Sequence, residues 1–376
     1  MEYKKQLSGL RVAIVHDWLV GLGGAERVVE AILKLFPQAD LYTSVYDASK
    51  LKLFKDRKVH TTFLQNWPLA SSKHQLFAAL RPLAFESLEL SGYDLVISSS
   101  SAEAKGVITP TETLHICYIH TPVRYYWSAY DDYLASPGFG LLNPLVRLVM
   151  PTMVKKLKRW DYAAAQRPDS LFANSKEVSG RISKYYNRQS KVINPPVDFD
   201  RLSRIDRNKK DYFLVVSRLV PYKRIDLAIR ACNDLKKKLI IAGTGPELLK
   251  YKKSSGDTIE FIENPSDAKV NQLYSGAKAF IFSAEEDFGI TPVEAMASGV
   301  PVICFAKGGA TETVIDGVTG IYHSQQTVAS LVEAIQKFEK TSFDEKEIVK
   351  RAKMFSEDRF LNELGGYVVG KISKKK

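Results

Sequence analysis

Ser283-Ala-Glu-Glu-Asp-Phe-Gly-Ile-Thr-Pro-Val-Glu294-Ala-Met-Ala-Ser-Gly299-Val-Pro-Val-Ile303 reads as a buried strand end, a glycine turn, a short helix, a glycine stop and a second buried strand. A strand–helix–strand of this kind belongs to a parallel α/β sheet. Thr291 is placed to cap the helix, Pro292 suits its first position, and Glu294 falls three residues after the cap. Gly299 offers a left-handed exit, and Pro301 prevents continuation. The turn at Phe288-Gly289-Ile290-Thr291 then presents backbone N–H groups and the positive end of a helix dipole, which suits an anion. Glu286 and Glu294 flank that site. Carboxylates repel phosphate, so their partners are hydroxyls next to one, and a phosphate beside hydroxyls describes a sugar nucleotide. A capping box between Thr291 and Glu294 is the alternative, and the local pattern leaves both open.

The chain has 376 residues, enough for two ordinary domains. Its formal charge is +12, of which residues 1–195 carry +8 and the remainder +4. Such an excess suits an anionic partner: nucleic acid, a phospholipid surface or a phosphorylated substrate. Cys117, Cys232 and Cys304 sit in apolar runs without metal-ligand spacing and read as reduced core residues. The polar segment Met1–Leu10 has no signal-peptide pattern, and no apolar run approaches the length of a membrane span, so a cytoplasmic location is expected.

Strand candidates alternate with amphipathic helices throughout. The first half offers strands at Arg11–His16, Ala39–Val45, Val59–Leu64, Tyr93–Ser99, His115–His120 and Ser170–Asn174, with helices over Ala25–Phe36, Ser71–Glu89 and Asn143–Gln166. The second half restarts at Tyr212–Arg218 and continues through Lys238–Ala242, Thr258–Ile262, Ala279–Ser283 and Val300–Phe305. Asn194-Pro-Pro-Val-Asp198 and the charged stretch Arg201–Lys210 read as a linker. The expected organisation is an N-terminal domain over 1–195, a C-terminal domain over 196–355, and a terminal helix over 356–376 that crosses back to the first. Two doubly wound, Rossmann-like domains facing across a cleft would gather ligands at the carboxyl ends of their strands.

Chemistry-bearing residues cluster at those ends. His16-Asp-Trp-Leu-Val-Gly-Leu-Gly23-Gly24-Ala-Glu26 joins the first strand to the first helix, and its glycines allow close backbone approach to a ligand. It lacks the third glycine and the later acidic residue of a dinucleotide fingerprint. A tight turn without ligand explains it equally well. His120-Thr-Pro122 and Arg124 follow another strand, where a capping role and a ligand role both fit. Ser217-Arg218-Leu-Val-Pro-Tyr-Lys223-Arg224 crowds cations behind the first strand of the second half. At an effective dielectric near 20, a phosphate attracts each close cation by roughly 4 kcal/mol. A planar Arg fork with a Lys point charge suits a diphosphate, while a solvated basic turn is the plainer reading. Ala242-Gly243-Thr-Gly-Pro246 is a further glycine turn.

Leu141–Lys158 combines apolar residues with Arg147, Lys155, Lys156 and Lys158, and Arg159 and Trp160 follow directly. It reads either as an interfacial helix for anionic lipid or as a packed helix with a basic end, interrupted at Pro151.

Taken together, the motifs resemble glycosyltransferase family 4, of GT-B fold. The resemblance covers the whole chain and rests on Gly23-Gly24-Ala25-Glu26, His120-Thr121-Pro122, Asn174-Ser175, Asn194-Pro-Pro-Val-Asp198, Arg218 with Lys223, and Ala242-Gly-Thr-Gly-Pro. Its most specific part is Glu286 with Glu294, followed by Ala295-Met-Ala, Gly299-Val-Pro-Val and Gly308-Gly309 through Thr319-Gly320. His16-Asp17-Trp18-Leu19 and His120-Thr-Pro-Val-Arg124-Tyr-Tyr-Trp127 look most like bacterial mannosyltransferases of surface-polysaccharide assembly.

The resemblance implies a retaining, metal-independent transfer from a nucleotide sugar, with GDP-mannose the implied donor and a UDP-sugar the near alternative. Arg218 and Lys223 would hold the diphosphate, helped by the backbone at Gly289, Ile290 and Thr291. Glu294 would bind the ribose hydroxyls, Glu286 the transferred sugar, and His120 would orient sugar hydroxyls. Gly23, Gly24, Gly243 and Phe288 would line the donor and acceptor sites. The acceptor would be a lipid-linked or surface glycan at the inner face of the membrane, and no nucleic acid is expected. Ile262-Glu263-Asn264-Pro265 departs from the glycine that relatives often carry there, which leaves the base open. A GT-B epimerase or hydrolase, and a non-catalytic basic binding protein, are the competing classes.

Overall fold

A computed structural model describes residues 4–135, 137–138, 140, 143–203 and 207–375. Leu141 and Leu142, at the start of the apolar-basic segment, lie outside the described residues. The chain divides into two compact units, residues 1–194 with 360–376, and residues 195–359.

The first unit is built on β1 (Val12–His16), β2 (Asp40–Thr43), β3 (Val59–Thr61), β4 (Leu95–Ser100), β5 (Leu114–Ile119), β6 (Ser170–Ala173) and β7 (Lys191–Val192), in the order β3-β2-β1-β4-β5-β6-β7. Every pairing is parallel. Strands β1, β4, β5 and β6 are buried at each position, as expected where helices cover both faces of a sheet. Helix Gly24–Leu35 returns the chain from β1 to β2 and buries Val28, Val29, Ile32 and Leu35. The terminal helix Glu357–Lys375 packs Phe360, Leu361, Leu364 and Val368 into this unit's core beside Ile14, Tyr118 and Phe172. Each such side chain contributes about 2 kcal/mol of apolar burial.

The second unit carries β8 (Phe213–Val216), β9 (Leu239–Ala242), β10 (Ile259–Ile262), β11 (Ala279–Phe282), β12 (Val302–Phe305) and β13 (Gly320–His323), in the order β10-β9-β8-β11-β12-β13, again all parallel. Both sheets are doubly wound. Their strand order reverses between β1 and β4 in one and between β8 and β11 in the other, and ligands of such sheets bind at those reversals.

Several expectations are corrected. The helix Ile290–Ala297 is capped by Gly289 at φ +82°, without a side-chain cap, so Thr291 lies inside the helix and the capping box is not formed. A left-handed residue at this turn favours glycine, which removes the need for a hydroxyl cap. The exit is as read: Gly299 donates to Met296 O and Val300 to Ala295 O, a Schellman closure. The expected helix over 71–89 is instead a 3-10 turn at His74–Phe77 and a short helix at Arg81–Glu86. Arg81, which opens that helix, is buried against Glu103 at 2.8 Å. Pro151 does not interrupt the helix Asn143–Ala164, which runs through it. The presumed linker is ordered at its start: helix Phe199–Ser203 buries Leu202, and Val197 N donates to Phe355 O at 3.0 Å. Strands β7 and β13 were not anticipated, being short and at sheet edges.

Candidate active site

In the second unit, the reversal between β8 and β11 gathers the basic turn and the first acidic residue. Ser217 N donates to Ala242 O at 3.0 Å and Leu219 N to Thr244 O at 2.9 Å, which laces the loop carrying Arg218 onto the glycine turn. Gly243, at φ +142°, leaves no alternative residue: a Cβ there would stand 1.9 Å from Ser217 O. Arg218 is exposed and, among the described residues, its guanidinium makes no ion pair. Lys223 closes the 3-10 turn Pro221–Lys223 and its ammonium meets the Glu286 carboxylate, so two proposed ligand groups are already in contact. The Glu286 carbonyl accepts from Gly309 N at 2.8 Å, tying the residue's backbone to the Gly308-Gly309 turn. A small recess of about 10 Å³, room for about one water, lies here, lined by Ser217, Lys223, Ser283 and Ala284 among others. Ser283 Oγ faces burial without a hydrogen-bond partner among the described residues, a polar atom that a ligand hydroxyl would satisfy.

Glu294 stands on the helix that Gly289 caps. Its carboxylate accepts from the Tyr274 hydroxyl at 3.0 Å and lies 3.9 Å from the Arg201 guanidinium. Burial, then the Glu294 charge, hold the Tyr274 hydroxyl well above its usual range, so it remains a donor. Ile290 and Thr291 are partly exposed at the helix start, and Phe288 and Gly289 are buried beneath them. Beyond β10, Asn264 adopts φ +46°, a left-handed conformation that asparagine tolerates.

The first unit brings a second group of residues to its reversal. His16 ends β1 and pairs in register with Ser99 of β4, and His120 follows β5. His16 Nδ1 lies 3.1 Å from both Ser99 O and Ser99 Oγ, and Ser99 Oγ lies 2.8 Å from His120 Nε2. His16 Nε2 is 3.6 Å from Glu26, in the first turn of helix Gly24–Leu35. Burial lowers the His16 basicity most strongly as a single influence, but the Glu26 hydrogen bond and the Glu26 and Asp17 charges together raise it above 6.5. Burial and the neighbouring His16 pull His120 down to about 3, so its ring is neutral. Gly23 and Gly24 are exposed at the helix start, where the Glu26 carboxylate already faces the dipole.

Asp17 accepts backbone N–H bonds from Ser101, Ala102 and Ala104 at 2.5, 2.9 and 2.8 Å and so fixes the loop after β4. The aromatic run after His120 anchors to two buried carboxylates. Tyr125 and Tyr126 donate to Glu103 at 2.6 and 2.8 Å, and Trp127 donates to Asp161 at 2.7 Å. Asp161 also pairs with Lys105 at 2.5 Å.

Sequence reasoning had passed over Tyr274, Arg201, Ser99 and Ser283. Only Ser99 left a trace, as part of Ser98–Ser101, a polar run ending a buried strand.

Residues 198–355 match the family model described as "Glycosyl transferases group 1". The alpha-1,3/1,6-mannosyltransferase ALG2 of Rhizomucor pusillus is 25% identical over 83% of this chain and 80% of its own length. The ALG2 of Saccharomyces cerevisiae is 26% identical over 84% and 73%. Among solved structures, Anabaena Alr3699/HepE in complex with UDP and glucose superposes with a TM-score of 0.68 at 19% identity, over 96% of this chain and 99% of that one. Sucrose-phosphate synthase of Thermosynechococcus elongatus does so with a TM-score of 0.71 at 16% identity, over 97% and 100%. The second unit thus carries the sequence pattern of the group 1 glycosyltransferases, and the two doubly wound units have the GT-B fold.

Proposed function

We propose that this glycosyltransferase is a retaining mannosyltransferase that uses GDP-mannose, without a resident metal, to extend a lipid-linked or surface glycan. The observation that carries the reading is the meeting of Lys223 and Glu286 at the β8–β11 reversal, with Glu294 held by Tyr274 on the neighbouring helix. Arg218 and Lys223 supply fixed positive charge where a diphosphate leaving group develops its own, and the N–H groups from Gly289 to Thr291 add neutral donors. Glu294 binds the ribose and Glu286 the transferred sugar, each as a hydrogen-bond acceptor rather than as an acid or base. Mannose is favoured by the ALG2 relatives, which are named as mannosyltransferases.

The membrane element rests on the helix Asn143–Ala164. Leu145 and Leu148 are 59% and 77% exposed, and Lys155, Lys156 and Arg159 are exposed along the same helix. No helix among the described residues is long and apolar enough to cross a membrane. We place the enzyme at the cytoplasmic face, peripheral to an anionic bilayer.

Incubating the purified chain with a panel of sugar nucleotides and membrane-extracted acceptor, and following nucleoside diphosphate release, tests the donor. Release from GDP-mannose alone is expected. Turnover confined to UDP-sugars would reject mannose, and sugar release without any acceptor would indicate a hydrolase. The one-bond C1–H1 coupling constant of the new glycosidic linkage reads the stereochemistry.

A further inference from the structure

The hydrogen bonds around His120 determine which of its ring nitrogens carries the proton. Ser99 O is a carbonyl and can only accept, so His16 Nδ1, 3.1 Å away, carries a proton and donates. The same N–H reaches Ser99 Oγ at 3.1 Å, which makes that hydroxyl an acceptor on its His16 side. Among the described residues the Ser99 hydroxyl has one other neighbour, His120 Nε2 at 2.8 Å, and its own proton goes there. A nitrogen that accepts is unprotonated, so the neutral imidazole of His120 keeps its proton on Nδ1. Four side chains thus form one polarised line: the Glu26 carboxylate, His16, the Ser99 hydroxyl and His120. All are buried, at 7%, 2%, 0% and 8% exposure. The low dielectric strengthens each link.

Two further features give the line a destination. His120 Nδ1 has no hydrogen-bond partner among the described residues, and it is not among the fully buried unsatisfied atoms. The next side chain, Thr121, is 8% exposed with its hydroxyl buried and unpartnered. Free buried polar groups cost energy and persist where something else completes them.

We propose that Glu26, His16 and Ser99 are positioning residues that fix His120 in its Nδ1–H tautomer, so that it donates this proton in a hydrogen bond to a substrate hydroxyl. The hydroxyl-bearing substrate rests on the transferase reading above, whereas the tautomer does not. No proton is transferred: the ring donates a hydrogen bond and remains neutral.

Nitrogen NMR of the full chain labelled with ¹⁵N-histidine reads the tautomer directly, since the chain has six histidines and His120 can be assigned by its loss in His120→Gln. The wild-type spectrum should show a pyrrole-type Nδ1 and a pyridine-type Nε2 for His120. Ser99→Ala should move the ring toward the Nε2–H form, and Ser99→Thr, which keeps the hydroxyl, should hold it. In the sugar-transfer assay Ser99→Ala should lower kcat/KM about tenfold, the worth of one hydrogen bond, with Ser99→Thr closer to wild type. An Nε2–H ring in the wild-type protein, or the same tautomer in folded Ser99→Ala, overturns the proposal. The wild-type measurement does not depend on Ser99→Ala folding. Failure of every nucleotide sugar to turn over would sink the transferase reading and leave the tautomer result standing.

Discussion

The Tyr274 hydroxyl donates to the Glu294 carboxylate at 3.0 Å, from a helix twenty residues earlier in the chain. The bond orients Glu294 from the side. Tyr274→Phe removes one hydroxyl and nothing else. It should cost about 1–2 kcal/mol in folding, read from denaturant midpoints, and raise KM for the nucleotide sugar more than it lowers kcat. An unchanged KM would show that Glu294 does not need this partner.

Lys223 and Glu286 neutralise one another while in contact, and a diphosphate would draw the ammonium away. Lys223→Ala should reduce kcat by about 10²–10³, the usual worth of a donor to a developing anion. Arg218→Ala should impair turnover with folding stability within about 0.5 kcal/mol of wild type, because that side chain is exposed. Steady-state kinetics beside thermal melts separates the two effects. Wild-type turnover in Lys223→Ala would remove the charge-stabilisation account.

Asp161 is fully buried and takes the Lys105 ammonium, the Trp127 N–H and the Tyr186 hydroxyl, the last at 2.8 Å. Asp161→Ala strands a buried cation and should destabilise by about 3–5 kcal/mol. Urea titration measures it. A loss under 1 kcal/mol would mean that water reaches Lys105.

Acid should destabilise the first unit. Burial, with Arg81 nearby, pulls His74 to about 4; burial, with Arg167 and Arg188, pulls His115 to about 4; and His120 falls to about 3. Each folded value lies below that of the unfolded chain, near 6.5, so the unfolded state binds more protons between the two. Stability then drops as pH falls from about 6.5 toward 4, by up to about 1.4 kcal/mol per pH unit for each ring. His16 acts with the opposite sign: its folded value is raised, so its contribution is full below 6.5 and lost as pH rises through the folded value. Urea midpoints at pH 7, 6 and 5 should fall in that order. A flat profile would show these rings accessible to protons in the folded state.

Membrane contact should depend on the apolar and basic faces of one helix. Leu148→Glu and Lys155→Glu alter exposed positions, so folding should be unaffected while sedimentation with anionic vesicles falls several-fold. Equal pelleting of wild type with neutral and anionic vesicles would count against the surface.

Much of this molecule was legible in the order of its residues. The buried strands β9, β11 and β12 are continuous apolar runs between turn residues, and Gly243 and Gly299 sit where the backbone admits little else. Those signals are local, because a strand buried on both faces and a left-handed turn each restrict residue type at their own positions. Partnerships across distance left no such mark. That Arg81 pairs with Glu103 and that Tyr274 holds Glu294 depend on which elements lie side by side. The same holds for Ser99 between His16 and His120: three residues from separate strand ends meet only because β4 lies between β1 and β5. Sequence determined the elements and the residue types at their carboxyl ends. Strand order, a tertiary property, decided which of those residues share a hydrogen bond, since such a bond forms only between groups brought within about 3 Å.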